Sequence, residues 1–312
     1  MSDKEVEKLY HCAINVGGRY EEKWHMLSRQ KFLLAMLLEA PSCLSKTALT
    51  KWVFLLKNEV CLGEKLTLYD FVPYKYGPFS FTLYRDLRNL MSNGYVDPKG
   101  LSLCPTAVGR ARAVCQTLSE PLVRAVKQMV QKYSRLSMNE LIRYVYTRYP
   151  WFASRSQVFD HPNQPAETKT ATYTIGYGRL SVDAFLNKLL TSGIRCIVDV
   201  RSNPVSRKYG FHKTTLSRLS ASCEIEYHHF PELGIPSVLR QGLTSYKDYE
   251  ALFSYYEKHI LPNVRSQIAH AAEIMAEKPS VLMCMESDPA YCHRTPLASV
   301  IDKTLSSGII HL

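Results

Sequence analysis

The 312-residue sequence has no Cys-x-x-Cys pair, no glycine-rich Walker loop and no dinucleotide-binding glycine fingerprint. It therefore offers neither a zinc ribbon nor the familiar phosphate-cradling loops. No apolar run reaches the length that spans a bilayer, so no membrane partner is expected. There is no internal repeat and no low-complexity tract. The opening Met1-Ser2-Asp3-Lys4-Glu5 mixes acid and base, unlike a secretory leader. The nine cysteines are odd in number, scattered and mostly set in apolar stretches. That pattern excludes a disulfide framework and predicts reduced thiols, buried as small hydrophobes in a cytoplasmic protein.

What the sequence does have is positive charge, placed unevenly. Residues 1–165 hold 23 Lys+Arg and 14 Asp+Glu, so 23 − 14 = +9, while the remainder holds 16 and 14, so 16 − 14 = +2. A basic front half attracts phosphate backbones by counterion release. The plainer alternative is a merely soluble basic surface.

Two prolines and a change of pattern mark a boundary at Asp160–Lys169. The expected organisation is a helical nucleic-acid-binding domain over 1–159, a linker over 160–170 and an α/β catalytic domain over 171–312.

In the front half, Gln30–Glu39 is a dense apolar helix. Ser45 is placed to cap a second helix, with Leu49, Trp52, Val53 and Leu56 on one face. A third helix runs through Phe81, Leu87 and Met91 and stops at Gly94. Two β-prone pieces then flank the turn Pro98-Lys99-Gly100, and a helix spans about 106–115. Helix, helix, helix, hairpin, helix is the order of a winged-helix domain, with Lys99 at the tip of its wing. Ser137–Glu140 is a capping box opening a helix that Pro150 stops. The run from Arg143 through Arg148 to Phe152 interleaves arginines with aromatics. It fits base stacking, or an amphipathic helix docked on the second domain. Lys75, Lys99, Arg143 and Arg148 are the expected nucleic-acid contacts. The segment Pro73-Tyr74-Lys75-Tyr76-Gly77-Pro78-Phe79-Ser80 resembles the Panacea-type antitoxin-associated domain over about forty residues.

In the back half, strands and helices alternate: Thr172–Tyr177, a helix capped by Ser181, a strand over 194–200, another over 225–230, one long or two short helices over 246–275, strand 280–284, helix 293–306 and strand 308–311. This predicts an α/β fold, a three-layer Rossmann-like and mostly parallel sheet. The first two strands, joined by one helix, should run parallel. Ligand groups in such sheets gather beyond the carboxyl ends of strands. Four ends deliver Tyr177 and Arg179; Asp199, Arg201 and Asn203, with Arg207 behind; Glu232; and Glu286, Cys292, His293 and Arg294.

Thr174-Ile175-Gly176-Tyr177, Val198–Pro204 with Ser206-Arg207 and Phe211, Phe230–Gly234, and Cys284-Met285-Glu286 with Cys292-His293-Arg294 resemble the domain of unknown function 488 family over about 172–312. The resemblance implies a small α/β enzyme-like domain, in a family some of whose members are found with nucleic-acid-processing partners. It brings no chemistry of its own.

From the residues, Asp199, Glu286, His293 and Cys292 are the candidate catalytic groups. Tyr177, Arg179, Arg201, Asn203, Arg207, Glu232 and Arg294 are the candidate substrate contacts. Tyr177 could stack on a base, and Arg201, Arg207 and Arg294 could clamp phosphate. The alternative for Asp199 is an ion pair with Arg201. No metal or cofactor is expected, because Cys284, Cys292 and His293 lack zinc spacing and His228-His229 alternate across a strand. The expected partner is double-stranded DNA, and a winged helix also admits a homodimer. The expected activity is metal-independent cleavage of an N-glycosidic bond in a damaged or modified nucleotide. Two alternatives stand beside it. One is a DNA-binding regulator or antitoxin-like module with a nucleotide-sensing α/β domain. The other is a cysteine enzyme of rhodanese or phosphatase type.

Overall fold

The computed structural model describes residues 26–41, 43–60, 68–158 and 168–312. Most of the expected linker lies outside the described residues. The seven described cysteines carry free thiols.

The front part is helical because its apolar residues recur at helical spacing. Helix α1 (Ser28–Glu39) is buried almost all round, and α2 (Lys46–Glu59) packs with it in the centre of the front core. The Ser45 hydroxyl accepts the Ala48 amide at 3.0 Å and starts α2. Strands β1 (Val72–Tyr74) and β2 (Gly77–Phe79) form a tight antiparallel hairpin. Its turn needs Gly77, which has φ +90°; a Cβ there would sit 2.6 Å from the Tyr146 ring. Helix α3 (Phe81–Ser92) follows at once. Buried Asp86 on α3 accepts from Arg29 (2.5 Å) and Gln30 (3.1 Å), tying α3 to α1.

The expected wing is present only as isolated bridges. Val96 pairs with Leu103, and Leu101 pairs outward with Leu44, with exposed Lys99 in the turn. Helices α4 (Val108–Cys115), α5 (Glu120–Tyr133) and α6 (Met138–Arg148) complete this part, with the Ser137–Glu140 capping box formed. Pro150 ends α6 and also opens a short helix, α7 (Pro150–Ala153), where its missing N–H costs nothing.

The back part is a five-stranded sheet between two layers of helices. Its elements run β3 (Thr172–Gly176), α8 (Val182–Thr191), β4 (Cys196–Asp199), α9 (Lys213–Ser222), β5 (Glu226–His229), α10 (Tyr246–Tyr255), α11 (Arg265–Glu277), β6 (Ser280–Cys284), α12 (Arg294–Leu305) and β7 (Ile309–His311). The strand order is β5-β4-β6-β3-β7, and every pairing is parallel. Strands β3 and β4 are parallel as expected but are not neighbours: β6 lies between them, with Val281 in register with both Tyr173 and Ile197. Side chains alternate across the sheet. Ile175, Ile197, Val281 and Met283 face α8 and α9, while Val198, Leu282 and Cys284 face α11 and α12.

The two parts share a core. Val72 of β1 is fully buried among the α8 and α9 side chains, with Phe79, Phe81 and Trp151 against it. The Trp151 indole donates to Asn187 on α8 at 2.9 Å. Asp183 of α8 accepts hydrogen bonds from the Phe81 amide (2.6 Å), the Thr82 amide (3.1 Å) and the Thr82 hydroxyl (2.5 Å). A carboxylate of the back part thus caps a helix of the front part. No helix among the described residues is long and apolar enough to cross a membrane.

Candidate functional site

The carboxyl ends of β3, β4 and β6 meet in a dense polar knot. Asp199 ends β4 with no exposed surface, and Arg201 folds back onto it. The guanidinium binds the carboxylate in a fork, Nε to Oδ1 at 2.8 Å and Nη2 to Oδ2 at 2.6 Å. Arg201 Nη1 also donates to the Tyr177 hydroxyl (3.0 Å) and to the Phe211 carbonyl (2.9 Å). The Tyr227 hydroxyl adds a 2.5 Å bond to Asp199 Oδ2. Burial pulls the Arg201 pKa down, but the hydrogen bonds and charge of Asp199 outweigh it, and the net shift is upward. Burial, with Asp199 beside it, pushes the Tyr227 phenol up as well.

This corrects the expectation of an unpaired carboxylate. Asp199 is fully engaged, as its two-residue spacing from Arg201 allowed, and Arg201 has no fork left for a phosphate. Tyr177 is corrected too: it is 3% exposed and stacked on Phe211 at 4.1 Å and 11°, so its face meets a side chain and not a base. Arg294 is fully buried and spends its guanidinium on the carbonyls of Glu286 and Ser287, holding the loop after β6. It is a structural cation and not a phosphate clamp. Gly176 lets that loop pass, since a Cβ there would lie 1.7 Å from the Glu286 carbonyl oxygen.

Beneath the knot, the fold gathers Cys284, Cys292 and His293. One ligand atom from each lies within 4.8 Å of the others, and all three residues are buried. Their lack of zinc spacing in sequence did not keep them apart in the fold. His293 Nε2 is 3.0 Å from the Val200 carbonyl. A carbonyl only accepts, so Nε2 carries the proton and Nδ1 turns toward Cys284 Sγ at 3.8 Å. These are donors that could hold a soft cation. Burial, with the neighbouring Cys284, pushes the Cys292 thiol up. Cys284 is the lowered thiol, held down by a hydrogen bond from Cys292 against the opposing effect of burial.

The remaining expected residues lie outside this knot. Arg179, Asn203, Arg207 and Glu232 are exposed and Glu286 is half-buried. In the front part Lys99 and Arg143 are exposed, whereas Arg148 approaches Glu59 at 3.5 Å. The tyrosines of the Arg–Tyr run turn inward: Tyr144 donates to Glu59 at 2.8 Å, and Tyr146 shares a 2.6 Å bond with Ser156. Two residues went unread in the sequence. Tyr227 looked like an ordinary strand residue, and Lys208, which donates to the Tyr177 and Gly178 carbonyls (3.2 and 2.7 Å), looked like loop charge. Neither left a local signal, since each is recruited from a different element.

Residues 181–301 match the family model described as Domain of unknown function DUF488. The DUF488 match starts at the cap of α8 and ends inside α12. It takes in Asp199, Arg201, Tyr227 and the Cys284–Cys292–His293 group, and leaves out β3 and the whole front part. No curated protein and no solved structure matches the chain.

Proposed function

We propose that the chain is a DNA-binding regulator, in which the α/β part controls how the basic front part holds a duplex. The observation that carries this reading is Asp183. It reaches from α8 to the first turn of α3, the helix that leads into the Lys99 hairpin. A shift of α8 therefore bears on the element expected to lie on DNA. The charge excess of residues 1–165 supports the choice of partner.

Base excision is weaker on this geometry. It asks for a carboxylate free to stabilise a cation or move a proton, and Asp199 is committed to Arg201 and Tyr227. A cysteine enzyme is weaker for a similar reason, because both thiols are buried beneath the knot.

The test is fluorescence anisotropy on labelled duplexes at two salt concentrations, beside an alkali-release assay on duplexes with normal and modified bases. Salt-sensitive binding without base release supports regulation. Alkali-labile breaks would return base excision to first place, and absence of binding at low salt would remove DNA as the partner.

A further inference from the structure

A cavity of about 180 Å³ opens between the two parts, on the front-part side of α9. Its walls are aromatic, with Tyr74, Phe79, Phe81, Tyr84 and Tyr209. Among the described residues four cations line it, Lys51, Lys75 and Arg88 from the front part and Arg218 from α9, and no carboxylate does. Arg85, Arg88 and Arg218 act on the Tyr209 hydroxyl from both parts, opposed by the buried Asp183 carboxyl.

Lys51 is the unusual member. It sits mid-helix in α2 with 1% of its surface exposed. Its Nζ donates to the Tyr76 carbonyl at 2.7 Å and lies 5.3 Å from the Tyr146 ring centre. No acid pairs with it among the described residues, and burial lowers its pKa to about 8. A buried ammonium without a counter-charge is costly. An anion arriving from outside would supply the missing charge. Gly77 keeps the hairpin turn close by, since a Cβ there would come 3.1 Å from Lys51 Nζ.

We propose that this cavity binds a nucleoside-monophosphate-like ligand, with an aromatic ring between the tyrosine and phenylalanine walls and a phosphate toward the cations. The size fits: an apolar cavity of about 150 Å³ accepts a benzene ring, so a cavity of this size holds one ring. The ligand is either a free mononucleotide or a nucleotide turned out of a strand. Both carry the same chemistry. The cavity is the effector site of the regulator above, resting on that reading only for its consequence at DNA.

The experiment measures ligand binding on the full chain without DNA. Calorimetry and thermal shift are run with AMP, GMP, CMP and TMP, and with adenosine and inorganic phosphate as half-ligands. At least one mononucleotide is expected to saturate and raise Tm, with adenosine and phosphate each weaker by about tenfold or more. Lys51→Met should weaken that binding by about tenfold while melting no lower than wild type, because it removes a buried unpaired charge. Arg218→Gln, on the other wall, repeats the test if Lys51→Met does not fold. The proposal is overturned if no mononucleotide binds, if adenosine binds as well as AMP, or if the folded variants bind unchanged. Displacement of the mononucleotide by an oligonucleotide with one extrahelical base supports the strand as source. Failure to displace supports the free nucleotide. Binding that leaves DNA affinity untouched keeps this site and refutes the regulatory reading.

Discussion

Asp183 caps Thr82 across the junction between the two parts, its Oδ2 accepting both the backbone amide at 3.1 Å and the hydroxyl at 2.5 Å. Full burial raises the carboxyl to about 6 from an ordinary value of 3.8, even though these hydrogen bonds and that from Phe81 act in the opposite sense. The folded state therefore holds this proton more tightly than the unfolded chain. The contribution to stability is fully present below about pH 4 and is lost as pH rises through about 6. Thermal denaturation from pH 4.5 to 7 is expected to show this slope, and Asp183→Asn to flatten it. An equal slope in the variant would assign the titration to another group.

The Asp199–Arg201 fork is a buried ion pair, so removing one partner strands the other. Asp199→Asn and Arg201→Gln should each destabilise the chain by about 3–5 kcal/mol, and the double variant by clearly less than the sum. Chemical denaturation of the four proteins measures this. Additive effects would mean that the pair is not coupled.

Gly176 faces backbone and not a yielding side chain. With the Cβ position 1.7 Å from the Glu286 carbonyl oxygen, Gly176→Ala should cost about 3 kcal/mol by forcing the loop after β6 away. Gly94→Ala, with nothing within 4 Å, meets only its φ of +67° and should cost less. Comparison of their melting curves decides.

Native-state labelling separates the thiols. Cys43 is exposed while Cys284 and Cys292 are buried. A maleimide followed by peptide mapping should modify Cys43 within the time that the pair stays protected, lowered pKa of Cys284 or not, because reaction requires access as well as thiolate. Rapid labelling of Cys284 would reopen the cysteine-enzyme alternative.

Much of the fold was legible because it is written in local pattern. The Ser45, Ser137 and Ser181 caps, the buried runs 196–199 and 280–284, and the alternation of strand and helix all repeat over short windows. The insertion of β6 between β3 and β4 was not legible, since strand order follows from packing over a hundred residues of separation. The same holds for the site. The strand ends marked out one edge of the sheet, but whether Asp199 was free or paired depended on Tyr227 and Phe211, which arrive from elsewhere. The Cys284–His293 approach likewise needed the turn that Arg294 holds together. Lys51 looked like any helical lysine until the β1–β2 turn closed over it.

The measurement that bears most directly on the account is the anisotropy of a labelled duplex titrated with wild type, Lys99→Glu and Asp183→Ala. Wild type should bind with a steep salt dependence, and Lys99→Glu should weaken binding and lower the salt slope by about 1. Asp183→Ala touches no basic residue, yet it should also weaken binding while circular dichroism shows it folded, because α3 loses its cap from the α/β part. Duplex affinity unchanged by Asp183→Ala, or no duplex binding by wild type at low salt, would contradict the account.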